Sequence, residues 1–187
     1  MAAPPEITLK NLSGHYILNK PISGDPDPVL ALQGIGWLIR KAISVMPVQL
    51  IIKNYQDDQG FWHFDIEQPG AAGISGTTEL RTVDGKEAHH KDHIFGAVDG
   101  VTNWIKVSDL KDDDEDEKFL KDGWLDEELI DNQVKSVGNG WTARQVWGFQ
   151  EAEVNGQKIR MYARNIIVWK KDKVQRVKFF YDYKPAN

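Results

Sequence analysis

Apolar and polar residues alternate with period two over most of the chain after Pro47. VQLIIKNY at 48–55 and FWHFDIEQ at 61–68 flank the turn DDQG at 57–60, which predicts an antiparallel hairpin. ISGTTELR at 74–81, the turn VDGK at 83–86, a weaker strand over 87–95 and VTNWIKV at 101–107 continue the pattern. WTARQVWGFQEAEV at 141–154 and QKIRMYARNIIVWKK at 157–171 are joined by Asn155-Gly156, a hairpin turn, and VQRVKFFYDY at 174–183 closes the series. Before Pro47 the signals differ. Residues 1–6 read as a loose Pro-rich arm, strand signals start at Ile7, and LSGHYILNK at 12–20 carries an early strand. PISGDPDP at 21–28 breaks any ladder. Asp27 as N-cap and Pro28 at the first helical position then predict a short helix through VLALQ, ending at Gly34. A second helix fits Trp37 to Val45 and stops at Pro47. One short helical pair and nine or ten strand segments with short connections predict a mainly β, antiparallel up-and-down barrel, with a β-sandwich as the alternative.

Charge interrupts this pattern once. Residues 108–131 hold twelve acids and three bases, centred on DDDEDE at 112–117. Like charges resist packing, so the block reads as a solvated, mobile loop inserted near 108–131, with FLKDGWLDEEL partly helical. It lacks the alternating ligands, central Gly and closing Glu of a calcium loop. At 187 residues the chain is read as one domain spanning 1–187. The net charge of −5 argues against a nucleic-acid surface. Cysteine is absent, which removes disulfides, a thiol nucleophile and thiolate metal sites. The N-terminus lacks the basic and apolar runs of a signal peptide, and no stretch of 18 apolar residues exists; the expectation is a cytoplasmic protein with no transmembrane segment.

The segment Leu12-Ser13-Gly14-His15-Tyr16 and the run LALQGIGWLIRKAISVMPVQLII at 30–52, with Gly34, Gly36, Arg40, Lys41 and Pro47 in order, resemble the intracellular lipid-binding proteins. These are the fatty-acid-binding branch of the calycin barrels. The resemblance implies a calycin-like barrel with a helix-turn-helix lid. In that family the last strand places an Arg two residues before a Tyr, both reaching a ligand carboxylate. Here Tyr181 or Tyr183 takes the Tyr place, but Phe179 and Tyr181 stand two residues earlier, so the resemblance leaves Arg176 or Arg164 to supply the cation. The phrase QVWGF at 145–149 resembles the late strand with an interior polar residue before Trp, and Arg144 is the basic candidate there. This chain is longer than the usual members, mostly around 84–140.

In a ligand-holding barrel alternate residues face inward, and a few of them are polar. Trp62, Phe64, Ile66 and Gln68 form the apolar face of their segment. Trp141, Ala143, Gln145, Trp147 and Phe149 form another, which conflicts with an inward Arg144 unless a bulge intervenes. Neither face of 74–81 is strongly apolar, as expected beside a wet cavity or at an edge; Glu79 and Arg81 share one of them. On 157–171, Tyr162 and Arg164 share a face that presents a guanidinium fork to an anionic ligand, the alternative being that the arginines face solvent. Trp62, Phe64, Gln145, Trp147, Tyr162, Arg164 and Tyr181 are therefore the ligand-binding candidates. EAHHKDHIF at 87–95 is the one local cluster with acid–base potential, and it supplies His93. Metal binding by His89 and His93 is unspecific, and no metal or cofactor is expected. No nucleophile elbow, phosphate loop or dinucleotide fingerprint is present.

Three functions follow. The first is binding of a hydrophobic small molecule, acidic or aromatic, inside the barrel. The second is a cofactor-free isomerase, cyclase or dehydratase using the same cavity, with His93 and Glu79 as acid–base candidates and Tyr162 and Arg164 beside them. A packed module that binds another protein is the third. Oligomeric state is not legible.

Overall fold

The computed structural model describes residues 1–70 and 73–185. Ten strands form one antiparallel sheet: β1 (Gly14–Leu18), β2 (Gln49–Gln56), β3 (Trp62–Gln68), β4 (Thr77–Val83), β5 (Ala88–Asp92), β6 (Gly96–Lys106), β7 (Glu128–Ser136), β8 (Trp141–Val154), β9 (Gln157–Lys170) and β10 (Lys173–Lys184). Their order is β4-β3-β2-β1-β10-β9-β8-β7-β6-β5. Every neighbour but one is a neighbour in sequence, as short connections require. The exception, β1 against β10, rolls the sheet into a nearly closed barrel and hides its would-be central edges. Among the described residues β4 and β5 do not pair with each other. Arg81 fills the seam from β4, its guanidinium standing where a Cβ on Gly100 of β6 would be 2.9 Å away.

The hairpin expected at 48–68 is present, Ile52 opposite Ile66 and Asn54 opposite Phe64. The helical pair is α1 (Asp27–Leu32) and α2 (Trp37–Val45). Gly34, at φ +89°, makes the reversal between them, a conformation that costs a Cβ-bearing residue energy. The pair caps one end of the barrel: Val29, Leu30 and Ile35 pack on Val98, Val134, Trp141, Val168 and Val177. Lys20 holds it there, donating to the carbonyls of Ile43, Ser44 and Met46 at the end of α2.

The opposite end departs from expectation. Residues 1–6 are not a loose arm, and the chain packs on the barrel as far as Leu12. Ala3, Ile7, Leu9 and Leu12 are buried in the core, and Arg160 donates to the carbonyls of Pro4 and Ile7. These residues plug the barrel together with Tyr16, Phe64, Phe149 and Tyr162.

The acidic block is also corrected. Residues 115–121 form a helix, α3 (Glu115–Lys121), with Asp114 as N-cap accepting from the Glu117 amide. Three acids in its first turn and two lysines in its last match the helix dipole. Asp112, Asp113 and Asp114 are exposed, but Asp116 accepts from Trp169 Nε1 at 2.7 Å and from Arg176. Glu117 accepts from Arg144 at 2.5 Å. Residues 107–127 thus make a strap across the outside of β7, β8 and β9. It buries Leu110 and Leu120 against Leu129, Val146 and Ile167. Gly148 permits the contact, since a Cβ there would lie 2.7 Å from Leu129 and 3.0 Å from Trp124. Among the described residues no helix is long and apolar enough to cross a membrane.

Candidate functional site

The inward residues of the barrel fall into two layers. The lower layer is solid and aromatic. Phe64 stands edge-on to Trp104 and Trp147 at 6.3 and 6.4 Å, Trp62 is edge-on to Trp104, and Tyr162 touches Tyr16, Phe149 and Tyr181. Such tilted contacts suit the aromatic quadrupole. Above this plug and below the helical lid lies a cavity of about 210 Å³. Its walls are mostly apolar, among them Leu18, Val29, Ile43, Leu50, Ile166 and Phe179. Glu79, Gln145, Arg164 and Tyr181 also line it.

Arg164 sits at the boundary of the two layers. It is 5% exposed. Alternation along β9 turns it inward with Tyr162 and Ile166, while Ala163 and Asn165 face the strap. Its Nε donates to Tyr162 Oη at 3.0 Å, and its guanidinium carbon lies 4.2 Å from the Trp147 ring centroid. Its Nη2 meets no acceptor among the described residues. Burial works against the positive charge, but Tyr162, Tyr181 and Glu79 around it raise the guanidinium pKa further, so it stays ionised.

Glu79 is the nearest ionic counterweight. Burial alone would raise its pKa, but the charges of Arg81 and Arg164 outweigh this and hold the carboxyl below the usual range. Arg81 donates to it through both Nε and Nη2, at 3.3 and 3.0 Å. Glu79 is therefore a carboxylate, poorly suited to donate a proton. Tyr181 is a neutral hydroxyl, because burial, only partly countered by Arg164, pushes its pKa up to about 12. The Gln145 Oε1 accepts from Trp147 Nε1 at 3.2 Å, which leaves its amide N–H₂ for the cavity.

A smaller polar annex of about 50 Å³ adjoins the cavity and shares Gln33, Glu79, Phe95 and Gln145 with it. Arg81, His90, Asp92 and Trp141 also line it, with the apolar Val98, Val134 and Ala143. His90 Nε2 lies 3.2 Å from Asp92, whose other oxygen accepts from the Ile94 and Phe95 amides. Trp141 Nε1 is buried without an acceptor among the described residues.

The structure thus brings Glu79, Gln145, Arg164 and Tyr181 to one cavity. Trp147 and Tyr162 support Arg164 from beneath, and Trp62 and Phe64 belong to the plug. His93 does not reach the cavity: it is exposed, and its Nε2 donates to the Ser75 carbonyl across the β4–β5 seam. Among the described residues no three metal-ligating side chains come together, and His89 pairs with Asp99 instead. Arg144 faces outward, bound to Asp131 and Glu117. Gln33, Arg81, His90 and Asp92 were not singled out from the sequence. Alternation places Arg81 beside Glu79 and puts His90 and Asp92 opposite His93, so choosing the face was the missing step.

No family model matches the chain. Among curated proteins it is similar to a probable pericyclase, scpY, of Mollisia scopiformis, 28% identical over 97% of this chain and 94% of that one. The pericyclase pydY of an Acremonium species is 26% identical over 98% of this chain and 97% of that one. Among solved structures it is similar to a point mutant of the REP1-NXSQ fatty acid transporter, with TM-score 0.51 and 14% identity over 93% of this chain and 98% of that one. Human cRBP IV gives the same score and identity over 92% and 98%. A Schistosoma mansoni fatty acid binding protein in complex with arachidonic acid gives 0.50 at 14% identity, over 92% and 95%. These likenesses show the fold, a barrel of the fatty-acid-binding-protein type, as the residues at 12–16 and 30–52 led us to expect.

Proposed function

We propose that this protein is a pericyclase, an enzyme that binds an apolar small molecule in the cavity and accelerates its ring closure without a cofactor. The observation that carries the reading is the cavity itself: apolar walls, and at the floor a buried, ionised Arg164 with an unused N–H donor. The near full-length similarity to two pericyclases supports it.

A pericyclic step needs no nucleophile and no net proton transfer. It needs a flexible chain held in a reactive pose, and polarisation of a conjugated group so that electron density shifts in the cyclic transition state. The cavity supplies the first. At about 210 Å³ it exceeds the ~150 Å³ that admits a benzene ring, so it folds a ring-sized part of the substrate while the rest extends past α1 and α2. Arg164 and Tyr181 supply the second: both donate, and in a low-dielectric site donation to a carbonyl oxygen strengthens as charge develops there. Glu79 keeps Arg164 charged rather than acting as a proton donor.

The test is incubation of the purified, EDTA-treated protein with the open-chain substrates of the two pericyclases. Chromatography with mass detection should show a cyclised product of unchanged mass, formed faster than in buffer, and lost with Arg164→Met. Conversion at the buffer rate would refute catalysis. Binding without conversion would favour a carrier, the reading to which the fatty-acid-binding fold points.

A further inference from the structure

The polar groups around the cavity and its annex fall into a pattern that limits the ligand. Two arginines, Arg81 and Arg164, are matched by two carboxylates, Glu79 and Asp92, with His90 beside Asp92 as the one further titratable imidazole. Glu79 is tied to Arg81, and Asp92 is occupied by His90 and two backbone amides. The charges of the two arginines and the two carboxylates sum to zero. A fatty-acid carboxylate entering the cavity would meet Arg164 but also Glu79, and would leave the interior with an uncompensated negative charge, which is costly to bury. Beneath the balanced charges two donors remain unused among the described residues: Nη2 of Arg164 at the cavity floor, and Nε1 of Trp141 in the annex wall. A buried donor without an acceptor is unfavourable, and a ligand oxygen removes that cost.

We infer that the ligand is a formally neutral, apolar molecule bearing carbonyl-type oxygens, one received by Arg164 at the cavity floor and another by Trp141 in the annex. This rests on the reading of the cavity as the binding site and narrows its substrate class. Glu79 is a specificity residue: its charge offsets that of Arg164, so the site accepts a carbonyl and disfavours a carboxylate. Both acceptors sit on the apolar body of the molecule, because the cavity and annex are adjacent and share Gln33, Glu79, Phe95 and Gln145.

Three naphthalenes of equal heavy-atom number separate the possibilities: 2-acetylnaphthalene, 2-naphthoate and 2-isopropylnaphthalene, titrated into the full chain at neutral pH with binding read by calorimetry. The ketone is expected to bind at least tenfold more tightly than the carboxylate, and severalfold more tightly than the hydrocarbon. Glu79→Gln is expected to improve naphthoate binding about tenfold and to change ketone binding less than threefold. The single carbonyl of the ketone engages the donor in the larger cavity, so Arg164→Met is expected to reduce its advantage over the hydrocarbon. Tighter binding of naphthoate than of the ketone by the unaltered protein would overturn the inference without any variant having to fold. Equal binding of ketone and hydrocarbon would overturn the role of the unused donors. If the hydrocarbon and the ketone both fail to bind, the cavity reading itself fails. A cavity that binds these probes but converts no open-chain substrate leaves the neutral-ligand inference standing and removes catalysis alone.

Discussion

Replacing Arg144 by Leu tests whether the strap and the barrel wall form one buried unit. Asp131 on β7 is nearly buried, its side chain 4% exposed. It receives Arg144 Nε at 2.7 Å on one oxygen and Gln133 Nε2 at 2.8 Å on the other. Arg144 also reaches Glu117 of α3, so one guanidinium joins β8, β7 and the strap. Leu supplies the apolar volume but no charge. Stranding one member of a buried pair costs about 3–5 kcal/mol, and the lower end applies because Gln133 stays bonded and Glu117 can turn to solvent. For a chain of this length about 3 kcal/mol corresponds to a fall in Tm of roughly 6–12 °C. Urea unfolding followed by tryptophan fluorescence would read it, with unchanged binding of 2-acetylnaphthalene at low denaturant showing that the cavity is intact. The double variant Arg144→Leu with Asp131→Leu should recover most of the loss, because the stranded charge is gone. A single-variant loss under about 1 kcal/mol, the value of an exposed pair, would mean that Asp131 is solvated and that the strap does not seal the wall.

Two further outcomes follow from the interior. Phe64→Ala should cost about 3–5 kcal/mol in urea unfolding and open the plug toward Trp104 and Trp147, so that longer apolar ligands gain affinity relative to naphthalenes; an unchanged urea midpoint would show that the lower layer is not packed as described. Burial raises the pKa of Tyr16, Tyr162 and Tyr181, the last to about 12, so these phenols hold their protons in the fold beyond the ordinary value near 10. Their contribution to stability is complete below about 10 and is lost as pH rises toward 12, so alkaline unfolding and tyrosinate absorbance near 295 nm should appear together; full ionisation of all five tyrosines in a still-folded chain would contradict their burial.

Local spacing carried most of the barrel. The 48–68 hairpin, the Asn155-Gly156 turn and the Gly34 reversal each rest on residues a few positions apart, and all three are present. Arg164 was legible through its alternation with Tyr162, but its donor to spare was not, since that depends on what the other strands bring near it. β7 is not among the strands expected from the sequence because Glu128–Ser136 holds three polar residues in a row, Asp131, Asn132 and Gln133, which breaks the local alternation of a strand. In the fold Asp131 has Arg144, and Asn132 donates to Thr102, so long-range partners make the strand. The acidic run misled for the same reason. Its repulsion is local, while Arg144, Arg176 and Trp169, which anchor Glu117 and Asp116, stand more than twenty residues away.

The strap also explains why both faces of β9 look like an interior. Met161, Ala163, Asn165 and Ile167 face outward, yet all are buried, and residues 107–127 cover Asn165 and Ile167. Asn165 donates to the carbonyls of Phe119, Leu120 and Asp122 and accepts from Gln150, so polar groups on the outer side are spent on holding the strap. A strand packed on one face alone can shift its inner side chains outward when a charged group is unfavourable there. β9 has no such freedom: its outer side is fixed by the strap, its neighbours are β8 and β10, and Trp147 lies under the Arg164 guanidinium. The wall therefore holds Arg164 in place before any ligand arrives. A donor fixed in advance costs no reorganisation when charge develops on a bound oxygen, which is the condition under which one guanidinium contributes to a reaction that exchanges no protons. Residues 107–127 thus lie outside the cavity but bear on it, by packing against the strand that carries its cation.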